Sequence, residues 1–288
     1  MIKKILNLPS GLWRFCVSLP LAGKIGLVIS LFWLSMMVLG PYLAPYGMED
    51  LADNDIFGSL SSQFWLGTDY LGRDMLSRIL YGAQLTIGLA LTAAICASVG
   101  GTLLALLAVV AGGTVDEIIS RINDVLLVTP SKIFALLIVA VFGSSLPLLI
   151  ITAAITYMPG SYRIARSMAV SLNAMEYVIV ARLRGEGNFY IAFRELLPNM
   201  IHPMLADFGL RFVYIVLTLS GLSFLGLGVQ PPYADWGALV RENMSGLFEG
   251  APAVIVPAVA IATLTIGVNL LIDSLSLRKR VAAKGVQA

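Results

Sequence analysis

Five long stretches without a charged side chain, Ile25 to Pro45, Ile79 to Val115, Ile133 to Tyr162, Phe212 to Ala234 and Gly250 to Ile272, constrain this chain more than any other feature. About 20 consecutive apolar residues suffice for a helix to cross a bilayer. Composition agrees, with 58% hydrophobic and 12% charged residues and a mean hydropathy of +0.87, against about 25% charged residues in soluble domains. The chain therefore reads as an all-α integral membrane protein. Ile133 to Tyr162 is interrupted by Gly143-Ser144-Ser145-Leu146-Pro147, a turn signal, and its apolar pattern extends back through Val125 to Val128. It reads as two helices in a tight hairpin. Ile79 to Val115 is long enough for one tilted helix with an interfacial lead-in and too short for two spans and a turn. Six transmembrane helices result. Residues 1–78 hold an N-terminal arm, the first span and an outer amphipathic segment, and residues 79–288 hold a five-helix core.

Basic residues near span ends are retained on the cytoplasmic side, which orients the spans. With both termini inside, the inner segments carry Lys3, Lys4, Arg14, Lys24, Arg121, Arg163, Arg166, Arg182, Arg184, Arg194, Arg278, Lys279, Arg280 and Lys284. Outer segments hold only Arg73, Arg78 and Arg241, with Lys132 and Arg211 inside spans. The segment after span one, with Glu49, Asp50, Asp53, Asp55, Asp69 and Asp74, then faces outward. The net charge of +2 follows from this topology and gives no sign of nucleic-acid binding. Span one follows a basic N-terminus but is of full length with no small-residue cleavage site after it, so it reads as an uncleaved anchor. Cys16 and Cys96 are too far apart in this topology for a disulfide.

Residues 173–198, between spans four and five, form a polar hairpin on the cytoplasmic side. Asn173 and Glu176 are spaced as a capping-box variant. The helix they start runs to about Arg184 and stops at Gly185, suited to a left-handed C-terminal position. Asn188 caps a second helix whose Phe189, Ala192, Phe193 and Leu196 share one apolar stripe, and Pro198 marks its end. An Arg-rich amphipathic hairpin of this kind also suits a site on lipid headgroups.

Other polar positions carry paired readings. In the outer segment, Asp69 with Arg73 and Asp74 with Arg78 are i, i+4 pairs in the favourable order, and Leu71, Met75 and Ile79 share a face, so the segment reads as a surface helix leading into span two. Ala93, Ala97, Gly101 and Ala105 of span two form a small-residue stripe that permits close helix approach. Methionine and aromatic residues of span one read as lipid-facing or interfacial. Asp207 and Arg211, i, i+4 in span five with His202 before them, either line a translocation path or neutralise each other. Lys132, after Pro130, reads as a kink contact or a snorkelling residue. No Walker A sequence occurs, since Gly23-Lys24 lacks the upstream glycine and following hydroxyl. The single His supplies no metal cluster, and Ser223 has no partner for hydrolysis. No catalytic residue and no cofactor is expected in this chain.

Ala181, Gly185, and Glu195-Leu196-Leu197-Pro198 at their spacing resemble the EAA loop of ABC importer permeases, the loop that forms their coupling helix. Ala181, Gly185, Leu197 and Pro198 match its pattern; Ile179, Val180 and Glu195 depart from it. Trp65 to Ala83 resembles the signature before span two in inner-membrane permeases for dipeptides, oligopeptides and nickel. Leu222 to Gly237, LSFLGLGVQPP followed by DWG, resembles the end of span five and the outer loop there, and Thr129 to Gly143 and the Arg163 and Arg166 pair also fit. The tail lacks the Asp-Pro often found after the last span. The resemblance implies a type I permease of the binding-protein-dependent transport family. Implied partners are a second homologous permease, two ATPase subunits that bind ATP and Mg, and a periplasmic binding protein, in the bacterial inner membrane. It also implies ATPase coupling through Glu176, Ala181, Arg182, Arg184, Gly185, Phe189, Phe193, Arg194, Leu197 and Pro198. Asp69, Arg73, Asp74 and Arg78 read singly as an interfacial anchor, and together they would help form a docking surface for the binding protein. Short peptides are the first expectation for cargo, with nickel complexes, glutathione or other small solutes behind. A stand-alone secondary transporter or channel, or a membrane scaffold, would need no ATPase.

Overall fold

The computed structural model describes residues 19–51, 55–233 and 235–285, with side chains to residue 275. Lys3, Lys4, Arg14, Cys16, Asp53 and Ala234 lie outside the described residues, as do the side chains of Arg278, Lys279, Arg280 and Lys284. Cys96 is a free, exposed thiol. The described chain is helical apart from loops and a single bridge between Thr68 and Asp74. In order, the α-helices are α1 Leu21–Leu43, α2 Met75–Ala111, α3 Gly113–Val128, α4 Ser131–Phe142, α5 Leu146–Asn173, α6 Glu176–Leu183, α7 Asn188–Tyr190, α8 Leu197–Phe224, α9 Trp236–Glu242 and α10 Pro252–Gly285.

Five of these segments are long and apolar enough to cross a membrane, and a sixth crossing arises if α3 and α4 count as one span bent by 88°. The third span is thus broken at Pro130, where a kink contact is one reading of Lys132. Its cause is local: Pro130 has no N–H and biases the residue before it to extended geometry, and Thr129 sits at φ −74°, ψ 125°. At 1.5 Å per residue the 12 residues of α4 span about 18 Å, short of a bilayer core of about 30 Å, so α3 must supply the rest. The turn into the fourth span falls where Gly143 predicts it, with φ +91°, and α5 starts at Leu146 with a proline in its first turn.

Helix α2 is the central post. Ala93, Ala97 and Ala105 are fully buried, and a Cβ on Gly101 would lie 2.8 Å from the Met158 carbonyl and the Tyr162 amide nitrogen. The small-residue stripe therefore packs α2 directly on α5. Since lipid tails are as apolar as leucine, close backbone approach of this kind drives helix association in membranes through dispersion contacts. The same device joins α1 to α10, where a Cβ on Gly26 would meet the Gly267 carbonyl at 2.6 Å. Phe32 and Tyr42 of α1 are exposed as expected. Trp33 is not: its ring packs edge-on at 4.7 Å to Trp236 and its Nε1 donates to Thr263 Oγ1 at 3.0 Å, tying α1 to α9 and α10.

Candidate coupling hairpin and translocation face

The hairpin bends at Gly185, which has φ +83°. The Gly185 amide donates to the Arg182 carbonyl and the Glu186 amide to the Ala181 carbonyl, the paired bonds of a Schellman C-cap. No neighbour lies within 4 Å of a Cβ built on Gly185, so glycine is required there by its dihedral alone. The start of the hairpin differs from the capping box expected of Asn173 and Glu176. Asn173 ends α5, Met175 is the N-cap of α6 without a side-chain bond, and Asn173 Oδ1 accepts from Arg182 at 2.9 Å. The guanidinium outcompetes the backbone amide for that oxygen.

Asn188 begins the second helix without capping it, because Gly187 holds the cap position. Pro198 does not end that helix. Residues 188 to 224 form one continuous rod in which Ile191–Leu196 adopts a π-helical turn, with the Leu197 amide reaching the Ala192 carbonyl. Proline removes one i→i−4 bond, and widening the preceding turn re-pairs the backbone around it. Asn199 Nδ2 donates to the Glu195 carbonyl at 2.7 Å, satisfying another acceptor of this turn. The hairpin is thus an extension of span five itself.

The expected apolar stripe splits in two. Ala181, Ile191, Ala192 and Leu196 are buried; Ile191, Ala192 and Leu196 join Leu106, Val109 and Val178 in the inner core cluster, and Leu197 packs partly buried on it. Phe189 and Phe193 turn outward with ring centroids 4.5 Å apart. Phe189 is 76% and Leu183 82% exposed, and Glu176, Arg182, Arg184, Arg194 and Pro198 are exposed around them. Arg184 makes only a loose 3.8 Å contact with Glu186. The exposed part of the hairpin is thus apolar and mainly basic.

Within the spans, Arg211 and Asp207 form the expected pair, with NH2 to Oδ1 at 3.0 Å. The pair is largely buried, and Arg211 lies over Gly160, where a Cβ would meet the guanidinium at 2.4 Å. Above it on α8, Tyr214 stacks on Tyr157 of α5, and the Tyr157 hydroxyl hydrogen-bonds with Thr218. Asp207, Arg211, Tyr214 and Thr218 follow each other by four, three and four residues and so share one helix face. Sequence reasoning missed Asp116, which takes Arg166 in a bidentate pair at 2.6 and 2.7 Å and fastens α3 to α5.

The outer residues form a different structure from the surface helix expected. Residues 65–74 are a loop, and α2 starts only at Met75. Asp69 and Arg73 do pair, at 2.7 Å, but within that loop. Asp74 and Arg78 do not. Asp74 is the N-cap of α2, accepting from the Ser77 amide at 2.8 Å and the Ser77 hydroxyl at 2.6 Å, which occupies its carboxylate. Arg78 instead reaches Glu242 at 2.7 Å and Asp69 at 3.7 Å. All four residues are at most 8% exposed, so they brace this end of the bundle from within. Asn243 adds to the brace by accepting from the Tyr70 amide at 3.0 Å.

The DWG element has a physical role here. Asp235 caps α9 by accepting from the Ala238 amide at 2.9 Å and takes a second bond from the Ser223 hydroxyl at 2.8 Å. Burial pushes its carboxyl up to about 6. Trp236 is fully buried and donates from Nε1 to the Ile79 carbonyl, while Gly237 lets α9 touch α8, since a Cβ there would lie 2.2 Å from the Ser220 carbonyl.

Residues 97–281 match the family described as binding-protein-dependent transport system inner membrane component. The chain is 34% identical over 264 residues to the glutathione transport system permease protein GsiD of Pectobacterium atrosepticum, covering 91% of this chain and 87% of that protein. It is 33% identical to the dipeptide transport system permease protein DppC of Alkalihalophilus pseudofirmus, covering 87% and 83%. A third relative, the di/tripeptide transport system permease protein DppC of Pseudomonas aeruginosa, is 32% identical over 87% of this chain and 84% of that protein.

Proposed function

The chain belongs to the family of binding-protein-dependent transport system inner membrane components and is a permease subunit of an ABC importer, and on that premise we propose how it couples ATP hydrolysis to movement of solute. It is not itself an enzyme, as ATP hydrolysis in such importers belongs to separate subunits. The 173–198 hairpin docks on an ATPase subunit, with Phe189, Phe193 and Leu183 entering apolar contacts and Arg182, Arg184 and Arg194 polar ones around them. Glu176 and Pro198 border this surface. Ala181, Leu197 and Gly185 hold its shape. One observation carries the reading: the second arm of the hairpin and span five are a single helix from 188 to 224, so displacement of the hairpin is passed along that helix towards Asp207 and Arg211.

In the full assembly this permease stands beside a second homologous permease, with two ATPase subunits that hold ATP and Mg on the cytoplasmic side and a periplasmic binding protein outside. Both termini are cytoplasmic, and the 173–198 hairpin faces the cytosol. Short peptides or peptide-like solutes are the cargo, supported by the dipeptide, di/tripeptide and glutathione systems of the relatives. The polar face of α8 lines the path. The binding protein rests on the outer surface that the Asp69, Arg73, Asp74 and Arg78 brace shapes from within. The test is Gly185→Val in the reconstituted importer: ATP hydrolysis continues while uptake falls, and unchanged uptake per ATP refutes the coupling role.

A further inference from the structure

Lys132 is an intramembrane cation that the preceding reading leaves without a task. It lies in the first turn of α4, just past the break at Pro130, and lines a cavity of about 250 Å³ whose other walls include Leu136, Leu217, Thr218, Leu222 and Leu225. Arg211 is neutralised by Asp207. Lys132, by contrast, makes no ion pair or hydrogen bond among the described residues. A cation kept in a spanning segment is costly unless it meets a partner or a wet cavity. Across the cavity, Thr218 belongs to the same α8 face as Asp207 and Arg211, and its hydroxyl bonds to Tyr157.

The cavity thus combines apolar walls with one free ammonium and one hydroxyl. That chemistry suits a carboxylate attached to an apolar body, as at the C-terminal end of a short peptide. Its volume is below the roughly 300–1,000 Å³ of pockets that enclose a whole small ligand, so it takes one end of a solute. We propose that Lys132 is an anion-recognising residue of the path that holds the carboxylate end of the transported solute as it passes α8. The inference rests on the reading that the polar face of α8 lines the path.

The test uses the whole importer in membrane vesicles, with Cys16 and Cys96 replaced by Ser and Leu225→Cys as a reporter on the cavity wall. Labelling is timed with an anionic sulfonatoethyl and a cationic trimethylammonioethyl methanethiosulfonate. The anionic reagent reacts faster, and the rate ratio drops about tenfold in Lys132→Met, the scale expected when one unit charge a few ångströms away is removed. Lys132→Arg keeps the ratio. Propionate slows the anionic reagent while position 132 is cationic, and the neutral isostere propionamide does not. Equal rates for the two reagents, or no difference between propionate and propionamide, overturn the role of Lys132 and leave the path reading standing. A cysteine that neither reagent reaches shows a dry cavity and overturns both.

Discussion

Removing Glu242 should destabilise this permease far more than removing an ordinary surface charge. Its carboxylate takes Arg78 at 2.7 Å and lies 3.6 Å from Arg73, and Asp69 completes the group from the other side. Two guanidiniums and two carboxylates cancel, and the four side chains are 0–10% exposed. Glu242→Ala leaves one positive charge uncompensated and buried, a situation that costs about 3–5 kcal/mol. An exposed pair would cost about 0–1 kcal/mol, so the two situations are separable. Glu242→Gln keeps an acceptor for Arg78 and should recover about 1.5–3 kcal/mol of the Glu242→Ala loss, the worth of a hydrogen bond to a charged group. The double variant Glu242→Leu with Arg78→Met removes the charges together and should recover most of the loss, leaving Asp69 to Arg73. Unfolding of the purified permease in detergent, followed by its tryptophan fluorescence, measures each variant. A loss under about 1 kcal/mol for Glu242→Ala, or a double variant as damaged as the sum of its singles, would refute a buried compensated network.

Gly185→Asn should retain most coupling, because Asn tolerates a positive φ, whereas Gly185→Val meets a dihedral penalty of about 1–2 kcal/mol or more; uptake per ATP hydrolysed in proteoliposomes separates them, and equal behaviour contradicts the left-handed bend. Asp235 is raised by burial to about 6 from an unfolded value near 3.8, so the folded state binds the proton more tightly and stability falls as pH rises from about 4 to 6. The slope amounts to roughly 2–3 kcal/mol over that window, and Asp235→Asn should flatten it in thermal unfolding scans at stepped pH. Asp207→Asn and Arg211→Gln alone each strand a largely buried charge and should reduce uptake more than the double variant does. The double variant should alter preference between charged and neutral solutes in competition assays; unchanged selectivity removes the pair from the path.

The spans, the Gly185 bend and the Asp207 to Arg211 pair were legible because each depends on residues close in sequence. Apolar length, a positive-φ glycine and an i, i+4 spacing all act within one helix or one turn. What the sequence concealed was competition from distant groups. Asp74 and Arg78 have the spacing of an ion pair, yet Ser77 claims the carboxylate and Glu242, 164 residues on, claims the guanidinium. Asn173 has the spacing of a cap, yet Arg182 takes its oxygen. Pro198 looks like a stop, yet a π-turn absorbs it and fuses hairpin to span. Trp236 sits in the Asp-Trp-Gly element, yet its burial has no local cause, and its place is set by contacts to Ile79, Thr86 and Trp33 from two other helices.

The most direct test of the coupling account places a photo-crosslinking amino acid at Phe193 and irradiates intact membranes containing the complete importer. Capture of the ATPase subunit, with a yield that changes between the nucleotide-free and ATP-bound states, is the predicted result. Failure to capture it in any state, or reaction at this position with a probe confined to the periplasm, would contradict the claim that this hairpin transmits the ATPase's motion to span five.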